Sequence, residues 1–132
     1  MNYTLMIYES AADFALRADK EKSQAYWAAW PLYTKALQEA GVFVGGAGLQ
    51  PPDTATVVKV RGGQRHVQDG PYAETKEQLG GILILEANDL NHAIQLMSRH
   101  PGVRLGGPFE IRPAADLDGM LAQSRLRRME AA

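Results

Sequence analysis

Two stretches of this chain repeat their apolar residues at the helical period, and each is enclosed by short strand-like runs. In the first, Tyr26, Trp30, Tyr33, Leu37 and Ala40 are spaced 4, 3, 4 and 3, one stripe of a helix, with Lys35, Gln38 and Glu39 off it. Gly41 stands where a helix C′ glycine belongs, and Pro31 removes a backbone donor, so a kink or a helix start is expected near it. In the second, Leu90, Ala93, Ile94 and Met97 fall at i, i+3, i+4 and i+7 behind Asp89, which suits an N-cap, and Pro101-Gly102 ends the run.

The strand-like runs fill the intervals. Thr4-Leu5-Met6-Ile7-Tyr8 comes first, and Val42-Phe43-Val44 leads into Gly45-Gly46-Ala47-Gly48. Residues 54–61 carry Thr56, Val57, Val58 and Val60, residues 64–68 return, and Gly62-Gly63 between them is a hairpin turn signal. Gly81-Ile82-Leu83-Ile84-Leu85-Glu86 is apolar at consecutive positions, as in a strand covered on both faces, and Phe109-Glu110-Ile111-Arg112 alternates. Residues 9–19 show no clear boundary. The order is strand, helix, strand, hairpin, strand, helix, strand: an α+β chain in the ferredoxin-like βαββαβ order with an inserted β-hairpin. Helices would cover one face of an antiparallel sheet, and no third layer remains for the other. A second copy, sheet against sheet about a twofold axis, is therefore expected to cover it. Residues 1–113 form the predicted domain, and residues 114–132 a tail with a short helix.

Composition removes several classes of function. With 132 residues, 45% of them apolar and 22% charged, the chain is long enough for one core and too balanced for disorder. No apolar run comes near the roughly 20 residues that span a bilayer. Met1-Asn2-Tyr3-Thr4 has no basic region ahead of an apolar one, so no signal peptide and a cytoplasmic location are expected. The absence of cysteine excludes disulfides, thiol nucleophiles and thiolate metal sites. A net charge of -1 is a poor footprint for nucleic acid, although Arg125, Arg127 and Arg128 cluster in the tail. No two histidines stand at ligand spacing, so no metal site is predicted. Gly45-Gly46-Ala47-Gly48 is not a dinucleotide loop, because Pro51 falls where the third glycine would be. No cofactor is expected.

The chemistry concentrates after the hairpin, in Asp69-Gly70-Pro71-Tyr72-Ala73-Glu74-Thr75-Lys76-Glu77-Gln78-Leu79-Gly80-Gly81. Gly70 can take positive φ and Pro71 fixes its own, so the pair reverses the chain at the end of a strand. Asp69 then either bonds nearby backbone N–H groups or points into a cleft. Glu74, Lys76 and Glu77 follow within eight residues, as a structural ion pair, a solvated loop, or charges that tune Asp69 for proton transfer. Trp27, Trp30 and Tyr33 are either core or, with Tyr72 and Tyr8, the lining of a helix-to-sheet pocket. His66 and His100 are candidate substrate-binding residues. His100, at a helix end, is also explained by the helix dipole, and His92 is placed in an exposed first turn.

This stretch resembles the signature of the YCII-related (DGPF) family, with Tyr72 where the eponymous phenylalanine stands. The resemblance extends through Trp30, Tyr33, Leu37 and Ala40-Gly41, then Thr54-Ala55-Thr56-Val57, Asp89-Leu90 and Glu110-Ile111-Arg112-Pro113. It implies a dimeric α+β barrel. It also implies a small enzyme of undefined substrate, some members accompanying extracytoplasmic-function sigma factors. Relatives carry an early histidine paired with the motif aspartate; here the first histidine is His66. The expected function is acid–base chemistry on a small organic molecule, with Asp69 transferring the proton and Lys76, Glu74 and Glu77 setting its charge. The rival from another class is a ligand-binding or regulatory dimer, with a sigma factor as partner.

Overall fold

A computed structural model of the chain describes residues 1–104 and 106–131. Strand β1 (Asn2–Ser10) runs through the middle of a four-stranded antiparallel sheet, between β5 (Glu77–Glu86) and β6 (Phe109–Pro113), with β2 (Phe43–Gly48) on the far edge of β5. The connections are those of the ferredoxin-like order. Burial in β1 alternates without a break: Tyr3, Leu5, Ile7 and Glu9 face the helices, and their neighbours face the other way. Opposite this strand, Ile7 pairs with Gly81 but Tyr8 with Leu79, which makes Gly80 the extra residue of a β-bulge.

The residues without a clear boundary in the sequence fold as helix α1 (Ala11–Ala18). The Ser10 hydroxyl accepts from the Asp13 amide and the Asp13 carboxylate accepts from the Ser10 amide, a reciprocal capping box. Helix α2 (Gln24–Glu39) continues unbroken through Pro31, so the helix does not start there. It closes on Gly41 at φ +71°, where the Gly41 amide donates to Gln38 O and the Val42 amide to Leu37 O, a Schellman pair. Helix α3 (Leu90–Met97) starts on Asp89, whose carboxylate accepts from the His92 amide at 2.8 Å. The single turn α4 (Pro101–Arg104) follows. Leu5, Leu37, Leu85, Ala93 and Met97 form the centre of the core between sheet and helices.

The inserted hairpin is present as β3 (Thr56–Arg61) and β4 (Gln64–Asp69), turned by Gly62 and Gly63, both at positive φ. It forms a two-stranded sheet of its own. Helix α5 (Leu117–Ala131) makes most of the tail and buries none of its residues. On the sheet face away from the core, Met6 stands opposite Ile82, and these two with Ile84 are only half-buried.

Candidate active site in the cavity between helix α2 and the sheet

Glu9 is the fourth inward residue of β1, a carboxylate at a position the alternation reserves for apolar side chains, and it is 5% exposed. Arg17, in the last turn of α1, turns back onto it. Its guanidinium pairs with the Glu9 carboxylate and donates to the Gly80 carbonyl at 3.0 Å, with its carbon 4.7 Å from the Phe14 ring centroid. The bulge makes room for this pair. A Cβ at Gly80 would fall on the Glu9 carboxylate, so only glycine fits there while the pair is intact.

Helix α2 brings an aromatic stripe to the same place. Tyr26, Trp27, Trp30 and Tyr33 meet edge to face along it. The Trp27 indole donates to the Arg17 carbonyl at 3.3 Å. Trp30 stands against the His100 ring, 4.5 Å between centroids and at 88°. His100 lies between α3 and α4 and is 1% exposed. Its Nδ1 accepts from the Gly102 amide at 2.9 Å, so the ring hydrogen resides on Nε2. Burial pushes its pKa down to about 4, so the imidazole is neutral at pH 7. Burial likewise pushes the Tyr33 phenol up to about 12; its hydroxyl donates to Leu96 O at 3.1 Å. The Tyr26 phenol is also raised by burial, against the opposing pull of the Trp30 indole N–H.

Together these groups border a cavity of about 270 Å³. Glu9 and Arg17 hold one side, Tyr26, Trp27 and Trp30 another, His100 closes it, and Gly46, Gly48, Gly80 and Gly81 bring strand backbone to it. His100 Nε2 and Arg17 Nε are buried and have no hydrogen-bond partner among the described residues, and the Trp30 indole N–H faces the Tyr26 hydroxyl. Among the described residues no cluster of three or more histidines and carboxylates is placed to hold a metal ion.

Of the residues singled out in the sequence, Trp27, Trp30 and His100 line this cavity, and Tyr33 packs against the His100 ring, 5.3 Å between centroids. The others lie elsewhere. Asp69 ends β4, exposed, beside an open hollow that it shares with Asp53, Glu74 and Gln78. No aromatic ring borders that hollow, and Asp69 makes no side-chain hydrogen bond or ion pair among the described residues. Lys76 and the exposed Glu74 are likewise unpaired there, so the ion pairing that their spacing suggested around Asp69 is not formed. Glu77 is exposed and opens β5 opposite Ser10. Tyr72 is 80% exposed under the Lys59 ammonium, and His66 is exposed on β4. The motif reaches the cavity at its other end, through Gly80 and Gly81. His100 is buried and neutral rather than an exposed cation on a helix dipole. Glu9 and Arg17 escaped the sequence reading. The signal for Glu9 was its place in the alternation after Tyr3, Leu5 and Ile7, and for Arg17 its place two helical turns further on.

Residues 1–118 match the family model described as the YCII-related domain. An uncharacterized protein of Rhizobium meliloti (strain 1021) is 36% identical over 81 residues, which span 58% of this chain and 63% of that protein. Among solved structures, the 5-chloro-2-hydroxyhydroquinone dehydrochlorinase of Burkholderia phenoliruptrix, in complex with 2,5-dihydroxybenzoquinone, superposes with a TM-score of 0.52. That match covers 87% of this chain and 94% of the other at 14% identity, a likeness of fold. The fold is thus α+β and ferredoxin-like. No described helix is long and apolar enough to cross a membrane.

Proposed function

The chain belongs to the YCII-related family, and on that premise we infer that it is an enzyme transferring a proton on a small molecule held in the α2–sheet cavity. The observation that carries this reading is the buried Glu9–Arg17 pair at the cavity wall, seated over the Gly80 bulge. A buried ion pair is a weak source of stability, since desolvation offsets most of its attraction, so its place beside an open space calls for another role. Glu9 is the base. Arg17 engages its Oε2 and orients it, while Oε1 makes no hydrogen bond among the described residues. Proton shuttling, isomerisation and hydrolysis all begin with such a step. The solved neighbour of this fold holds a small ring-shaped ligand, which supports a single-ring occupant for the cavity. Asp69, which the motif suggested for proton transfer, serves the open hollow instead, and its part in turnover is set by comparison with Glu9.

Glu9→Gln keeps the shape and removes the base. Deuterium uptake from heavy water at the activated C–H of a panel of hydroxyquinones and 1,3-diketones, followed by proton NMR, reports the step. A loss of about 100-fold or more in the variant supports the reading. Unchanged uptake refutes it.

The active unit we propose is a homodimer, closed by the sheet face that carries Met6, Ile82 and Ile84. A second reading, a non-catalytic regulatory dimer with a protein partner such as a sigma factor, is favoured by one observation. Helix α5 leaves Leu117, Met120, Leu121, Leu126 and Met129 exposed. Under that reading no panel member turns over and deletion of α5 abolishes partner capture.

A further inference from the structure

Glu9 Oε1 and the Tyr26 hydroxyl border the cavity with opposite hydrogen-bonding roles. Among the described residues Glu9 Oε1 has no hydrogen-bond partner, and it is not closed off as Arg17 Nε and His100 Nε2 are. Tyr26 lines the cavity and, with Glu9 and Arg17, the smaller hollow beside it. Two N–H donors face its oxygen, the Trp30 indole and the Arg17 guanidinium. A phenol oxygen accepts two hydrogen bonds, so these donors occupy it and leave its own hydrogen to go elsewhere. That hydrogen does not go to Glu9: the Glu9 charge acts on the phenol, but no hydrogen bond joins the two among the described residues. Burial, with the Glu9 charge added to it, keeps the phenol protonated. A base and a held O–H thus address one space.

We propose that Tyr26 is a second catalytic residue, the donor that holds the carbonyl oxygen of a substrate whose neighbouring C–H faces Glu9. This rests on Glu9 being the base, and it adds the substrate class: carbonyl compounds that form an enolate. Glu9 Oε1 takes the proton, the C–H electron pair becomes a carbon–carbon double bond, and the carbonyl π pair moves onto oxygen. Tyr26 keeps its hydrogen and donates it to that oxygen as negative charge develops there. Return of a proton from Glu9 to carbon reverses the step. Trp30 and Arg17 touch no substrate in this scheme and act through the Tyr26 oxygen.

Tyr26→Phe keeps the ring and its edge-to-face contacts and removes only the hydroxyl. Deuterium uptake by the hydroxyquinone and 1,3-diketone panel is expected to lose about 100-fold in kcat, the scale for one oxyanion donor, with KM changed less than about threefold. Binding of 4-nitrophenolate, a flat mimic of the enolate, is read by its visible absorbance in Glu9→Gln, which has the shape of the protonated base. Adding Tyr26→Phe to that variant is expected to weaken binding at least about tenfold, the factor for one charge-assisted hydrogen bond. Uptake that falls for Glu9→Gln but less than about threefold for Tyr26→Phe overturns the role of Tyr26 and leaves the base in place. Equal 4-nitrophenolate binding with and without the hydroxyl, or none in Glu9→Gln, overturns it too. Unchanged uptake in Glu9→Gln removes the base itself. Should Tyr26→Phe fail to fold, the Tyr26 13Cζ signal of Glu9→Gln decides: a shift on adding 4-nitrophenolate is expected, and a still signal overturns the proposal.

Discussion

The Glu9 carboxylate occupies the space that a side chain on Gly80 would need. Two facts of sequence meet in that relationship. The period-2 alternation of β1 turns Glu9 inward, and the extra residue in β5 opposite it is a glycine. Arg17 locks the arrangement by binding Glu9 and the Gly80 carbonyl together. Gly80 therefore acts as a positioning residue for Glu9, the proposed base.

Gly80→Ala is expected to drive the Glu9 carboxylate off Arg17 and leave charge buried and uncompensated. The loss of stability is about 3 kcal/mol or more, the scale for breaking a buried pair, read as a lower urea midpoint at constant slope. Gly45→Ala, with open space around its Cβ, is the control and costs well under half as much. Equal midpoints for the two variants contradict the arrangement.

His100 gives a pH signature. Its pKa falls from 6.5 in the unfolded chain to about 4 in the native protein because the ring is buried. Above pH 6.5 both states are neutral and nothing is lost. As the pH drops toward 4, the unfolded chain takes up a proton that the native state refuses, and stability falls by about 3 kcal/mol across that window. His100→Gln removes this component, so the difference in stability between wild type and variant shrinks between pH 7.5 and pH 4.5. A difference independent of pH contradicts the burial argument.

The half-buried apolar face of the sheet predicts self-association. Wild type is expected to sediment at twice 14.4 kDa and Ile84→Glu, which sets a charge opposite Thr4 on that face, at the monomer mass. A wild-type monomer at micromolar concentration removes the dimer from the account.

The fold was legible because its signals are local. The stripe from Tyr26 to Ala40, the Gly41 terminator, the Asp89 cap and the Gly62-Gly63 turn each specify their element without help from the rest of the chain, and together they dictate the order of the layers. Helix α1 was not legible. It is short and half alanine, its capping box of Ser10 and Asp13 is a weak signal alone, and it is held by Phe14 and Arg17 against strands brought together only by folding. The site was half legible for the same reason. Trp30 and His100 stood out as residue types that carry chemistry, whereas the motif drew attention to Asp69. Its contribution at the cavity, the Gly80 bulge, depends on register with β1, a relationship between residues more than seventy positions apart. Glu9 was visible only as an exception to an alternation.

Everything turns on which carboxylate moves the proton, and one comparison answers it. Deuterium uptake into the most responsive compound of the hydroxyquinone and diketone panel is measured for wild type, Glu9→Gln and Asp69→Asn under identical conditions, with folding checked by thermal transition. The account predicts a loss of about 100-fold or more for Glu9→Gln and less than about threefold for Asp69→Asn. A reversed order, with Asp69→Asn inactive and Glu9→Gln unimpaired, would contradict it and move the chemistry to the open hollow beside the hairpin.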